Sequence, residues 1–230
     1  MQPVSVPPKG FAVRRLLVLV SVVVLLLSAA ACSEVGGRHA RDVYVLLDVS
    51  GSYNAKLDAA NPAINYLLAT LVSGDTLTVA RINSGSFTEK DIIGKVTFDD
   101  RPSVANEQKR AFRQRLNQFL RDRHASGYTD ISGAMLQAAE DLQASNAGRR
   151  YIVIFSDLAE DLPRGYVRKT RLPLAGVQVI ALDVTKLPTD NVNPQQYVDR
   201  LAHWQKLVTR YGGIWQVLND PANLSKVFND

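Results

Sequence analysis

The sequence predicts an α/β fold: a doubly wound, mostly parallel sheet with an antiparallel edge strand and helices on both faces. Three observations carry this. Residues 43–47, 151–155 and 177–182 are continuous apolar runs of strand length, as strands buried on both faces require. Segments with a 3.6-residue apolar period lie between them, as helices joining parallel strands would. Residues 77–82 and 92–98 alternate more, and Ser84-Gly85-Ser86 lies between them, which suits an antiparallel hairpin at a sheet edge.

The elements follow in order. After the run 43–47, Asn61-Pro62 reads as a cap and first turn, and Ile64, Leu67, Leu68 and Leu71 keep helical spacing until Gly74. The edge hairpin comes next. Phe112, Leu116, Phe119 and Leu120 mark a second helix with a basic outer face. Ile131, Ala134, Met135, Ala138, Ala139 and Leu142 mark a third, before the strand 151–155. After the strand 177–182, Tyr197, Leu201, Trp204 and Val208 mark a long fourth helix, closed by Gly212-Gly213. Residues 214–218 read as a last strand and 222–228 as a short terminal helix. Each apolar stripe is core packing rather than a cofactor box.

The N-terminus stands outside this pattern. Lys9, Arg14 and Arg15 precede an uncharged apolar run over 16–27, followed by Ser28-Ala29-Ala30-Ala31-Cys32. A basic start, a short apolar centre and small residues are the pattern of a secretory signal. The run is short for a membrane-spanning helix, which needs about twenty apolar residues. Residues 1–31 are therefore read as a lipoprotein-type signal peptide, 32–41 as a tether and 42–230 as the folded domain. The junction resembles a bacterial lipobox, which makes Cys32 the lipidated first residue of an exported, membrane-anchored protein. Ser33 after it favours, by the same resemblance, the periplasmic face of the outer membrane in a two-membraned bacterium. An uncleaved inner-membrane anchor and plain secretion are the alternatives.

Composition then excludes several chemistries. One cysteine rules out an internal disulfide framework and a thiolate-rich cluster within this chain, and His39, His124 and His203 are too scattered for an imidazole cage. The formal charge of +5 falls to +2 once residues 1–31, with three cations and no anion, are set aside. Nucleic acid is therefore not an expected partner.

The candidate site lies at strand ends, where ligands bind in open α/β sheets. The first strand runs into Asp48-Val49-Ser50-Gly51-Ser52, the strand 151–155 runs into Ser156-Asp157, and the third helix opens on Gly127-Tyr128-Thr129-Asp130-Ile131. Carboxylates and hydroxyls are hard oxygen ligands, suited to Mg²⁺, Mn²⁺ or Ca²⁺.

Asp48, Ser50 and Ser52 in D-x-S-x-S, Thr129 in G-x-T-D-I, and Asp157 after an apolar strand resemble the von Willebrand factor type A domain, a Rossmann-like fold, and its metal-ion-dependent adhesion site. The resemblance covers the whole exported region. It implies that Ser50 and Ser52 give hydroxyl oxygens directly to Mg²⁺ and that Thr129 contributes directly or through water. Asp48 and Asp157 would act through waters, or one of them directly. An open position would accept an Asp or Glu carboxylate of a partner protein. The family has no catalytic residues as such, so the resemblance implies a binding and scaffolding module rather than an enzyme. Where the family often has Gly after the third-loop aspartate, this chain has Leu158. A leucine disfavours positive φ and would add bulk at the rim. Tyr53, Tyr128 and Leu158 are the candidate partner-contact rim. Glu160 and Asp161 read as a solvated loop face, and His124 as an ordinary surface histidine.

An alternative stays open: an exported Mg²⁺-dependent α/β hydrolase or phosphatase-like enzyme using Asp48. The D-x-D pattern of aspartyl-phosphate enzymes has Ser50 at its second position here, and no G-x-S-x-G, P-loop or H-E-x-x-H motif occurs. The basic run 109–115 reads as a solvated helix face, with contact to anionic lipid as the other reading.

Overall fold

The computed structural model describes residues 39–86, 88–166 and 171–228. The segments expected to be a signal peptide (1–31) and a tether (32–41), with Cys32, lie outside the described residues except for residues 39–41. Gly37–Asp230 forms one compact unit.

Six strands form one sheet in the order β3-β2-β1-β4-β5-β6. They are β1 (Arg41–Asp48), β2 (Thr76–Ile82), β3 (Ile92–Thr97), β4 (Arg149–Phe155), β5 (Val177–Leu182) and β6 (Ile214–Leu218). All neighbours run parallel except β2 and β3, which pair antiparallel at the edge, as expected. The edge pair is not a tight hairpin. Its connection holds a 3-10 turn (Glu89–Asp91), whose preceding Thr88 hydroxyl accepts from the Lys90 amide at 3.3 Å.

The helices are α1 (Ala60–Thr70), α2 (Pro102–Asp122), α3 (Ile131–Ala144), α4 (Pro188–Val192), α5 (Gln195–Arg210) and α6 (Ser225–Phe228). Asn61 is not a cap: a 3-10 turn (Asn54–Ala59) leads straight into α1, and no side chain caps the helix. The chain therefore enters α1 already wound. The Gly212-Gly213 stop holds. Gly212 has φ 81°, and the Gly213 amide reaches back to the Val208 carbonyl at 3.0 Å. A Cβ on Gly213 would stand 2.8 Å from Val208 Cγ1, so a side chain there forces a shift. The short α4 carried no apolar period and was not legible.

Central β1 shows why its sequence is continuously apolar. Val43, Val45 and Leu47 pack into one core with α1 and α2, while Tyr44 and Leu46 pack into the other with α3 and α5. Both faces of the strand are thus dry, and its carboxyl end is Asp48. Among the described residues, no helix is long and apolar enough to cross a membrane.

Candidate metal centre

Asp48 is the last residue of β1 and is fully buried. Both its oxygens are engaged: Oδ1 accepts from the Ser50 amide at 2.8 Å, and Oδ2 accepts from the Ser156 hydroxyl. Burial pushes the Asp48 carboxyl above the usual carboxylate range, and the nearby Asp157 adds to this; the bonds from Ser156 and Ser50 pull the other way. A group so placed gains from any neighbouring positive charge.

The hydroxyls bridge the two acids. Ser50 and Ser52 Oγ lie 3.1 Å apart, and Ser52 Oγ donates to Asp157 Oδ2 at 2.7 Å. The other Asp157 oxygen accepts from the Ala159 amide at 3.0 Å. Asp48, Ser50, Ser52 and Asp157, from two loops 105 residues apart at the Ser52–Asp157 bond, are therefore one connected polar unit.

The third loop of the set joins them through its backbone. The Ser126 amide donates to the Val49 carbonyl at 2.8 Å, forming a parallel bridge between Ser50 and Ser126. Thr129 forms an antiparallel bridge with Asp161, with amide-to-carbonyl distances of 2.8 and 3.0 Å. Thr129 is buried beside the loop that carries Asp157, tied to it by main chain. Asp130 then caps α3, Oδ1 accepting from the Gly133 amide at 2.8 Å. Glu160, read as solvated, is exposed but accepts from the Ser132 amide at 2.7 Å, so it too serves the start of that helix.

The rim differs from expectation. Tyr128 is 42% exposed and stands at the mouth, but Tyr53 and Leu158 are buried and cannot touch a partner from the surface. Tyr53 turns inward to pack in the core, its hydroxyl 3.4 Å from the Asp183 carbonyl. Leu158 keeps the left-handed conformation that glycine would take, φ 61°, and spends its side chain in the α3/α5 core.

What holds Leu158 there was missed. Its amide donates to Ser156 Oγ at 2.9 Å, and its carbonyl accepts from Trp204 Nε1 at 2.9 Å. One turn earlier on α5, Arg200 Nε donates to the Asp157 carbonyl at 2.8 Å and pairs with buried Asp190 at 2.6 Å. Arg200 holds the Asp190 carboxyl below the usual range. Arg200 and Trp204 are four residues apart, so one helical face grips two successive carbonyls of the loop. The spacing is visible in sequence; its target is not.

The donor set fits a hard divalent cation. It consists of two carboxylates separated by hydroxyls, with Asp48, Ser50, Ser52 and Asp157 on strand-end loops and Thr129 on the loop that opens α3. Among the described residues, no group of three or more His, Cys, Asp or Glu converges as a softer or more acidic alternative.

A family model for the von Willebrand factor type A domain matches residues 43–160, which include all five candidate ligands. The chain belongs to the von Willebrand factor type A family. Domains of this family are generally non-enzymatic modules for protein interaction and adhesion, often dependent on metal. Comparison with curated proteins finds no sequence match. Among solved structures, a von Willebrand factor type A protein from Catenulispora acidiphila aligns at 16% identity with TM-score 0.49, over 83% of this chain and 41% of that one. This chain thus spans about two fifths of that structure's length. An aerotolerance-related membrane protein from Bacteroides fragilis aligns at 18% identity with TM-score 0.46, over 82% of this chain and 96% of that one. BatB from Bacteroides thetaiotaomicron aligns at 14% identity with TM-score 0.41, over 82% and 99%.

Proposed function

We propose that this von Willebrand factor type A domain is an envelope-tethered protein-binding module that captures an exposed Asp or Glu of a partner protein at a divalent metal held by Asp48, Ser50, Ser52, Thr129 and Asp157. The observation that supports it is the hydroxyl relay Ser50–Ser52–Asp157, which draws the two strand-end acids into one unit. Mg²⁺ is the cation of choice for this donor set, with Mn²⁺ or Ca²⁺ as substitutes. When bound, the ion supplies a positive charge for an incoming carboxylate. The chain's part is positional. Ser156 and the Ser50 amide orient Asp48, while Arg200 and the Ala159 amide hold the Asp157 segment in place. Tyr128 offers an exposed amphipathic ring beside the mouth.

Asp48 is poorly disposed as a nucleophile, since both oxygens are committed and the residue is fully buried. The N-terminal half of the proposal rests on sequence: a signal over 1–31, lipid on Cys32, a tether over 32–41, the domain over 42–230 and a bacterial membrane as the site of anchoring. Affinity capture of the full chain with and without EDTA tests the whole reading. A partner retained by wild type, released by EDTA and absent with Asp48→Ala supports it. Capture indifferent to both EDTA and Asp48→Ala contradicts it.

A further inference from the structure

A second surface lies at the other pole of the sheet. β1 runs from Arg41 to Asp48, so the start of the strand is about 23 Å from the metal centre. At that start, Arg41 Nη2 donates to the Thr70 carbonyl at 2.8 Å, and Lys109 Nζ donates to the Leu71 carbonyl at 2.8 Å. Arg41 is itself paired with buried Asp75 at 2.6 Å, so Lys109 is, among the described residues, the cation without an ion-pair partner at the carbonyl end of α1, where the helix dipole favours positive charge. Beside them an open groove of about 290 Å³ runs between α1 and α2, lined by Leu68, Ala69, Asn106, Lys109, Arg110 and Arg113.

The charge here is concentrated. Along α2 the stretch beside the groove, 106–113, holds three cations and one carboxylate, whereas Arg123 at the far end of the helix meets the Asn54 carbonyl and Asp58 near the metal centre. Arg110 and Arg113 lie three residues apart on the exposed flank of α2, without ion-pair partners among the described residues. The facing helix α1 contains no charged residue. Directly after Leu71, whose carbonyl Lys109 meets, Val72 is 60% exposed. Unpaired guanidinium groups around an exposed apolar tip are the chemistry that meets a phospholipid interface.

The chain also enters the domain at this pole. The nine residues from Cys32 to Arg41 reach at most about 30 Å. If the apolar run over 16–27 or a lipid on Cys32 holds the chain in a bilayer, this groove lies within reach of the headgroups.

We propose that the α1/α2 groove docks the domain onto an anionic phospholipid bilayer, with Lys109, Arg110 and Arg113 meeting headgroup phosphates and Val72 entering the interface. The docking is independent of the metal. Each cation near an anionic surface contributes about a fivefold preference, falling as salt screens it.

The test uses the full chain carrying Cys32→Ser and Val72→Cys, with a polarity-sensitive fluorophore on residue 72. The protein is reconstituted into phosphatidylcholine vesicles with increasing phosphatidylglycerol, so its N-terminal segment is the same in every arm. The label should shift to the blue only as phosphatidylglycerol rises. Arg113→Glu should raise the phosphatidylglycerol fraction giving half the shift by about threefold or more. Lys206→Glu, the same charge change on exposed α5, should leave that fraction within about twofold. Inorganic phosphate at matched ionic strength should not reverse the shift. Equal emission in both lipids, equal effects of the two charge reversals, or displacement by inorganic phosphate would each overturn the proposal.

Discussion

Trp204 Nε1 donates to the Leu158 carbonyl at 2.9 Å, and Leu158 is held at φ 61° directly after Asp157. A leucine in the left-handed region costs about 1–2 kcal/mol, so the conformation persists only because its surroundings enforce it. The enforcement is mutual: the same residue fills the core between α3 and α5. Leu158→Gly relieves the backbone cost but loses a buried side chain worth about 2–5 kcal/mol. The packing loss wins. Urea unfolding should show Leu158→Gly less stable by about 1–3 kcal/mol, even though glycine suits the backbone better.

Trp204→Phe keeps much of the packing and removes only the indole donor. The Leu158 carbonyl then lacks a partner in a dry site, a loss of about 1–3 kcal/mol. The loop carrying Asp157 should loosen, and calorimetric Mn²⁺ affinity should fall several-fold while the far-UV spectrum stays native. Unchanged affinity would show that the α5 grip is structural only.

Arg200 and Asp190 make a buried pair whose halves are not equally expendable. Arg200→Met strands a buried carboxylate and should destabilise the domain by about 3–5 kcal/mol in thermal or urea unfolding. Adding Asp190→Asn should recover much of that loss, because the cost lies in the unpaired charge. Recovery of stability should not restore the bond to the Asp157 carbonyl, so metal affinity should remain reduced in the double variant.

Much of this was legible beforehand, and the gaps have physical causes. The strands at 43–47, 151–155 and 177–182 announced themselves because burial on both faces forbids polar residues. The loops at Asp48 and Asp157 followed, because parallel strands of one sheet end on the same side, and Thr129 followed from the resemblance of G-x-T-D-I. The rim was not legible. Whether Tyr53 and Leu158 face outward depends on loop backbone directions, and Leu158 sits in a conformation that leucine's own preference argues against. Ser156 could have been suspected, since it precedes Asp157 at a strand end. The α5 grip required knowing which loop its Arg200–Trp204 face meets, a tertiary fact without a local signal.

Asp42 gives the domain a pH signature of its own. It is buried at the start of β1, its Oδ1 has no hydrogen-bond partner, and burial pushes its carboxyl from the ordinary value of 3.8 up to about 6. Asp141 nearby adds to the rise, while Ser145, Lys95 and Arg150 oppose it. The native state therefore binds the proton more tightly than the unfolded chain. Its contribution is fully present below the unfolded value and is lost as pH rises through about 6. Asp42→Asn should be more stable than wild type at neutral pH, by on the order of 2 kcal/mol, and should flatten the decline between 3.8 and about 6. Thermal unfolding across that range reads both effects. A wild-type profile that matches Asp42→Asn would remove Asp42 as the cause.

The most direct measurement is a calorimetric titration of the full chain with Mg²⁺ and Mn²⁺, comparing wild type with Thr129→Ala and Asp157→Ala. One saturable site in wild type, weakened by at least about tenfold in each variant while both unfold cooperatively, is the expected result. Absence of saturable binding in wild type, or equal binding in all three, would contradict a metal centre at the carboxyl end of β1.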